Sequence, residues 1–394
     1  MSDITFAEAR LLEWLDHRRG EMLTLLEELV NTDSSSLDKA GVDAAGAILI
    51  RFFERLKIPT SVLRDQTHGD AIIAAVQKQS SLDSRPILLL GHRDTVFARG
   101  EAGRRPFHVK DGRAYGPGVG DMKAGIVMNA FVLAAFQEMG GQPAPLAGLF
   151  TGDEEIASPF SRSIIEQNAR RALAVFNSEP ARPTGNIVTG RKGGVFILLE
   201  VFGKSAHSGV NFLDGVSAIN ELADKIIRLK AITNQAKGVT LNVGLVRGGE
   251  TVNTVAPYAA AEIDLRFIQQ CDREASLNEI RKVAEDCRIK GTSAAVTIKG
   301  QFLPLEETQY SRRLFEIYRS AANELGIELQ GEFTGGCADS GFASAQGVPT
   351  LCGIGAVGGK SHTPDEYIEL NTLSDRAKVL ALAICRLDAD QLYN

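Results

Sequence analysis

The chain has 394 residues, longer than a single hydrophobic core usually grows, so two domains are expected. Its 44% apolar and 23% charged residues are ordinary globular values, and nothing in the sequence suggests a disordered tail, a repeat array or a low-complexity segment. A net charge of −6, with no basic stripe interleaved with aromatics, argues against a nucleic-acid partner.

The longest unbroken apolar runs, such as 130–136 and 379–385, reach seven residues, against the ~18 that a bilayer span needs, so no membrane partner is expected. The start, MSDITFAEARLLEWLDHRR, carries acids early and has helical periodicity rather than a signal-peptide core, which predicts a soluble, cytoplasmic protein. The five cysteines form no C-x-x-C pair and are odd in number, and read as reduced, mostly buried thiols.

In chain order, periodicity predicts amphipathic helices over 8–30 and 40–56. Strands follow at 71–76 (AIIAAV), 86–90 (PILLL), 146–150 (LAGLF) and 173–176 (LAVF). A strongly apolar helix over 122–139 lies between two of these and stops at Gly140-Gly141. From Val195 the pattern changes to strand (VFILLEVF), helix (214–230), strands (VTLNVGLV and AAAEIDLRF), helix (273–287) and strand (AAVTIKG). That is the β-α-β-β-α-β order of a ferredoxin-like unit. The first pattern then resumes with a helix over 309–325, a strand at 348–352 and a helix over 371–387. The expected division is a first domain over 1–190 and 301–394, with a smaller domain inserted over 191–300.

The chemistry gathers at strand ends. His92 and Asp94 follow PILLLG, Glu154 and Glu155 follow LAGLFTGD, Glu179 follows LAVFNS, and His362 lies in the loop after VPTLCGIG. In α/β sheets ligands collect at the carboxyl ends of strands, so these groups can converge although distant in sequence. Asp121 sits between GPGVG and the apolar helix, where a helix N-terminus favours a carboxylate. Singly, each has a plainer reading: an Asp-Glu-Glu run is usually a solvated loop, GPGVG is a poor dinucleotide fingerprint, and His17, His68 and His108 read as surface residues.

Together the residue types suit a metal. Two imidazoles and three carboxylates match Zn²⁺, with Co²⁺ or Mn²⁺ as substitutes. Five ligands exceed one open tetrahedral site but fit two ions about 3.5–4 Å apart if one carboxylate bridges. Asp94, two residues after His92 on an extended segment, can accept its free ring N–H. Of Glu154 and Glu155, one can ligate while the other takes a proton from water and passes it to a leaving amine.

The segments GHRDTVF (91–97), GRAYGPGVGDMKAG (112–125), TGDEEIAS (151–158), NSEP (177–180), GKSAHSG (203–209), NTVAP (253–257), GGCADSGF (335–342) and KSHTPDEYIEL (360–370) carry a resemblance that covers most of the chain. In this order they resemble the zinc-dependent aminoacylase and carboxypeptidase family that includes glutamate carboxypeptidase, acetylornithine deacetylase and succinyl-diaminopimelate desuccinylase. The resemblance implies an α/β fold of the di-zinc exopeptidase type: a mixed sheet flanked by helices, with an inserted ferredoxin-like lid and dimerisation domain. It further implies that Asp121 bridges two Zn²⁺ per subunit, with His92 and Glu179 on one ion and Glu155 and His362 on the other. Glu154 is then the general base and Asp94 supports His92. His207 matches a lid histidine that steadies the oxyanion, commonly from the partner subunit. Asn253 matches the Asn before the family's turn, and Arg266 a lid arginine that grips a substrate carboxylate; its plainer reading is a strand-end surface charge.

The chain departs from that pattern at Arg93, where relatives often have a small or apolar residue, and at Cys337 and Ala338, in a loop more commonly bearing Ser or Thr. Lys299 and Gln301 stand where a second carboxylate-binding arginine is expected. The function expected is hydrolysis of an amide bond in N-acyl amino acids or short peptides, glutamate-carboxypeptidase-like, by a homodimer joined through the lid. The alternatives are an N-acyl amino acid deacylase and, more distantly, a non-catalytic binding protein of the same fold. A serine hydrolase is disfavoured because no G-x-S-x-G occurs.

Overall fold

A computed structural model of the chain describes residues 4–76, 85–139 and 145–394. The backbone divides into two compact units. The first comprises the residues up to Gly190 with Leu305–Thr334 and Ala338–Asn394; the second comprises Arg191–Pro304 and Gly335–Cys337.

The first unit is built on an eight-stranded sheet. Its order is Thr60–Leu63, Ala71–Val76, Leu146–Thr151, Ile87–His92, Ala174–Asn177, Thr350–Cys352, Ile187–Arg191 and Gly331–Thr334. The central four, from Leu146–Thr151 to Thr350–Cys352, run parallel, so their carboxyl ends share one edge. On one side Ala71–Val76 is antiparallel to this group and Thr60–Leu63 antiparallel to Ala71–Val76; on the other Ile187–Arg191 is antiparallel to Thr350–Cys352. Central strands covered on both faces must be apolar throughout, and every residue of Ile87–His92 is buried.

Helix Ala124–Glu138 packs on this sheet with residues 124–136 all buried. With the turn before it, this is the one segment among the described residues with the length and composition to cross a membrane, but it is 94% buried, which makes it a core helix. The helix begins two residues later than the periodicity predicts. Asp121 and Met122 leave helical geometry because the Asp121 N–H donates to the Glu366 carboxylate instead of joining a helical ladder. Its predicted stop at Gly140-Gly141 lies outside the described residues.

The single helix predicted over 8–30 is two, Phe6–Asp16 and Arg19–Val30. Residues 16–21 (DHRRGE) offer no apolar side chain to hold the two in line, so the chain turns between the buried Leu15 and Met22. The cysteines are all free thiols, but only Cys352 is buried; Cys271 is exposed and the others lie between.

The second unit is a four-stranded antiparallel sheet in the order Thr240–Gly248, Tyr258–Phe267, Gly193–Phe202, Ser293–Phe302, with helices Ala218–Leu229 and Gln270–Glu285. This is the ferredoxin-like β-α-β-β-α-β unit. Val195, Ile197, Leu199 and Val201 alternate inward to form its core with Leu222, Leu229, Leu277 and Ile280. The first helix begins at Ala218 rather than at 214, since the Ser217 side chain accepts the Asn220 N–H and caps it there.

Candidate metal centre

The parallel register explains how distant residues meet. His92 pairs with Thr151 and Leu90 with Asn177, so the chain leaves three adjacent strands at one level and delivers His92, Glu154-Glu155 and Glu179 side by side. A small antiparallel sheet brings in the rest. Arg113–Tyr115 pairs with Tyr367–Glu369, which sets the loop ending in Asp121 against the loop that bears His362. Helix Ala124–Glu138 reaches this edge because residue 125 is glycine: a Cβ there would lie 1.9 Å from the Ser178 carbonyl oxygen.

The Asp121 carboxylate faces two ways. Its Oδ1 lies 3.2 Å from His92 Nε2, which is 3.7 Å from Glu179 Oε1. Its Oδ2 lies 3.4 Å from His362 Nε2, which is 3.3 Å from Glu155 Oε2. In each group, His92, Asp121 and Glu179 or Asp121, Glu155 and His362, one ligand atom per residue falls within 4.8 Å of the others. Glu154 is buried beside them, with Oε2 4.0 Å from His92 Nε2.

Asp94 holds both sides of this arrangement. The His92 Nδ1–H donates to the Asp94 main-chain carbonyl at 3.0 Å, closer than the carboxylate oxygen at 3.4 Å that the sequence points to. Either acceptor turns Nε2 toward the centre. The Asp94 carboxylate itself accepts the N–H groups of Glu154 (3.2 Å) and Glu155 (3.1 Å) and the Ser36 hydroxyl (2.7 Å), so it orients both acids.

The charges are crowded. Burial, then the neighbouring Glu179, Glu155 and Asp339, push the Glu154 pKa well above the carboxylate range, against the pull of His92. Burial raises Glu155 as well, opposed by its hydrogen bond to His362. Burial works against ionised Asp121, but hydrogen bonds from His362 and His92 keep its pKa below the usual range. Those to Asp121 and Glu155 raise His362 to about 10. Buried acids facing one another need a cation, and Glu155 Oε1 is buried with no hydrogen-bond partner among the described residues. Carboxylate oxygens and imidazole nitrogens converging on one space fit a divalent metal such as zinc.

The remaining predicted residues lie in the second unit. His207 and Asn253 are exposed and adjacent: the Ser208 N–H donates to the Asn253 carbonyl at 2.9 Å, and His207 bridges to Thr254. The Gly209 N–H donates to His207 Nδ1 at 3.1 Å, which leaves Nε2 as the proton-bearing nitrogen of the neutral ring. Arg266 is not a free surface charge. Its Nε donates to Asp264 Oδ1 at 2.7 Å, its Nη1 lies 2.8 Å from Cys337 Sγ, and its guanidinium stands 5.4 Å from the Phe196 ring centroid.

Sequence reasoning passed over Glu366 and Asp339. Glu366 is buried and accepts the N–H groups of Gly118 (3.1 Å), Gly120 (2.8 Å) and Asp121 (2.8 Å), fixing the turn that presents Asp121. Burial, then the Asp121 charge, raise it to about 7. Asp339 is buried, accepts the hydroxyls of Ser158 and Thr151, and is raised by burial to about 7. The one available signal was their place inside GGCADSGF and KSHTPDEYIEL.

Comparison with known proteins gives the family. The sequence profile described as peptidase family M20/M25/M40 matches residues 88–386. Carboxypeptidase G2 of Pseudomonas sp. (strain RS-16) is 26% identical over 377 residues, 93% of this chain and 89% of that protein. Among solved structures, an M20 family metallo-carboxypeptidase from Sulfolobus solfataricus is similar with a TM-score of 0.76 at 19% identity, covering 95% of this chain and 99% of its own. Aminopeptidase PepT of Bacillus cereus ATCC 10987 is similar with a TM-score of 0.73 at 22% identity, covering 93% and 98%. The chain belongs to peptidase family M20/M25/M40 and is a metal-dependent hydrolase.

Proposed function

We propose that the protein uses two zinc ions to hydrolyse an amide bond in N-acyl amino acids or short peptides that carry a free carboxylate. The observation that carries this reading is the divided carboxylate of Asp121, with one oxygen toward His92 and the other toward His362. His92, Asp121 and Glu179 would hold one ion, and Asp121, Glu155 and His362 the other, with Co²⁺ or Mn²⁺ as possible substitutes. Two ions held there would supply Lewis acidity and bring the pKa of water toward neutrality.

The chain's own groups do the rest. Glu154, oriented through its N–H by Asp94, is the general base: its carboxylate takes the proton of the attacking water and passes it to the leaving amine. His207, with its proton on Nε2, steadies the developing oxyanion, aided by Asn253. Arg266 binds the substrate carboxylate, a role supported by a guanidinium held in place by Asp264. The likeness to a carboxypeptidase over 93% of the chain supports a substrate with a terminal carboxylate.

Chelator-stripped protein, assayed with and without added Zn²⁺ against N-acyl glutamates, dipeptides, acetylornithine and succinyl-diaminopimelate, tests the proposal. Activity should vanish on stripping and return with zinc, highest on the acyl glutamates or dipeptides. Glu154→Gln should retain metal while kcat falls by about 10²–10⁴-fold. Turnover indifferent to chelation, or to Glu154→Gln, excludes the mechanism; preference for acetylornithine moves the protein to the deacylase branch.

A further inference from the structure

We propose that Arg93 is a positioning residue of the metal centre, whose guanidinium fixes the strand end bearing His92 and Asp94 against the one leading to Glu154 and Glu155. The inference rests on the two-metal reading above. Side chains alternate along a strand, so Arg93 points away from the space that His92 and Asp94 enclose and touches no reacting atom. It is fully buried, a costly place for a cation.

Its donors go to main-chain carbonyls of three segments. Nη1 donates to Phe150 O at 2.8 Å and Thr151 O at 3.1 Å, the last two residues of strand Leu146–Thr151. Nε donates to Val42 O in helix Lys39–Arg55 at 3.1 Å, and Nη2 donates to Asp70 O, just before strand Ala71–Val76. The nearest carboxylate oxygen that it faces, Asp43 Oδ1, stands at 3.9 Å, so carbonyls rather than an ion pair hold the group. Only a planar fork reaches acceptors in three directions at once; a lysine ammonium cannot replace it. The neighbouring helix makes room with Gly46, where an added Cβ would lie 3.0 Å from Arg93 Nε. Glu154 and Glu155 follow the clamped carbonyls by three to five residues, so a shift of that strand end carries through to both acids.

The test is zinc affinity, measured by competition with a chromophoric chelator, in Arg93→Lys and Arg93→Met, beside their melting temperatures and the Co²⁺ absorption spectrum. Positioning predicts that both lose about 10–100-fold in zinc affinity, as supporting residues of metal sites do, with altered Co²⁺ bands in the folded protein. A purely electrostatic role predicts the opposite for Arg93→Met, since removing a nearby cation favours binding another, and no change for Arg93→Lys. That result overturns the proposal, as does a lowered melting temperature with unchanged zinc affinity.

Should neither variant fold, Gly46→Ala decides. Alanine favours the helix but crowds the guanidinium and, equally closely, Ile72 Cδ1, so zinc affinity should fall several-fold in the folded protein; unchanged affinity overturns the proposal. Asp121→Asn separates the two readings. If it leaves zinc affinity intact, the two-metal reading fails; if it abolishes binding while the Arg93 variants and Gly46→Ala bind normally, only the clamp fails.

Discussion

Three main-chain N–H groups in the turn before helix Ala124–Glu138 converge on the Glu366 carboxylate, and the two oxygens share them unequally. Oε1 accepts Gly120 and Asp121, each at 2.8 Å, while Oε2 accepts Gly118 at 3.1 Å. Glu366→Gln can keep Oε1 and lose only the Gly118 bond, so it should cost about 1 kcal/mol, whereas Glu366→Ala strands all three buried donors and should cost about 3 kcal/mol or more. Urea unfolding of the two variants checks the grading; equal losses would show that the carboxylate does not organise the turn. Glu366 was illegible because its neighbour Asp365 looks alike in sequence, yet that side chain is 73% exposed and paired with Lys360. The small sheet that buries one acid and not the other has strands of two or three residues, too short for any periodic signal. The seven residues now at the centre were legible for the opposite reason. Each ends or follows an apolar strand or precedes an apolar helix, and the parallel sheet then aligns the strand ends.

The same contrast holds for whole elements. Continuous apolar runs located the buried central strands, but the edge strands Thr60–Leu63 (TSVL) and Gly331–Thr334 (GEFT) are short and largely exposed, and nothing in their composition separates them from loop. Helix Phe6–Asp16 shows what anchors an element at the margin of the core. Thr5 and Glu8 form a reciprocal capping box, and Glu8 also accepts from Arg386 Nε at 2.9 Å, just past helix Leu370–Cys385. Burial alone would raise the Glu8 pKa, but the bonds from Arg386 and Thr5 hold it below the ordinary 4.5. A lowered folded-state pKa means that this stabilisation is complete above the unfolded value and lost as pH falls through the folded one. Glu8→Gln should therefore cost about 1 kcal/mol at neutral pH, and the two proteins should converge as the pH is taken below the ordinary carboxylate range. Denaturant midpoints across that range check it, and a difference independent of pH would assign the effect to packing.

For the molecule as a whole, the second unit poses a question of reach. His207 and Asn253 lie in loops that meet before strand Tyr258–Phe267, whereas Arg266 lies near its far end. Eight residues at about 3.3 Å each separate Tyr258 from Arg266 by roughly 26 Å, too far for one small substrate to touch both ends of the same strand. The His207 end is also unusually apolar for a free surface: Val210, Phe212, Leu213 and Val252 are 82%, 60%, 94% and 102% exposed, and the neighbouring strand Thr240–Gly248 is a sheet edge that exposes Leu245 and Val246. Both features fit the homodimer expected from the sequence, and we propose that His207 and Asn253 serve the partner's site rather than their own chain's. Complementation tests this directly. Glu154→Ala and His207→Ala homodimers should each be nearly inactive. After subunit exchange, one site of every mixed dimer combines an intact Glu154 with an intact His207, while its other site lacks both. Random exchange makes about half the dimers mixed, so about a quarter of wild-type activity should return. If His207 served its own chain's site, every site in the mixture would lack one group, and exchange would restore nothing.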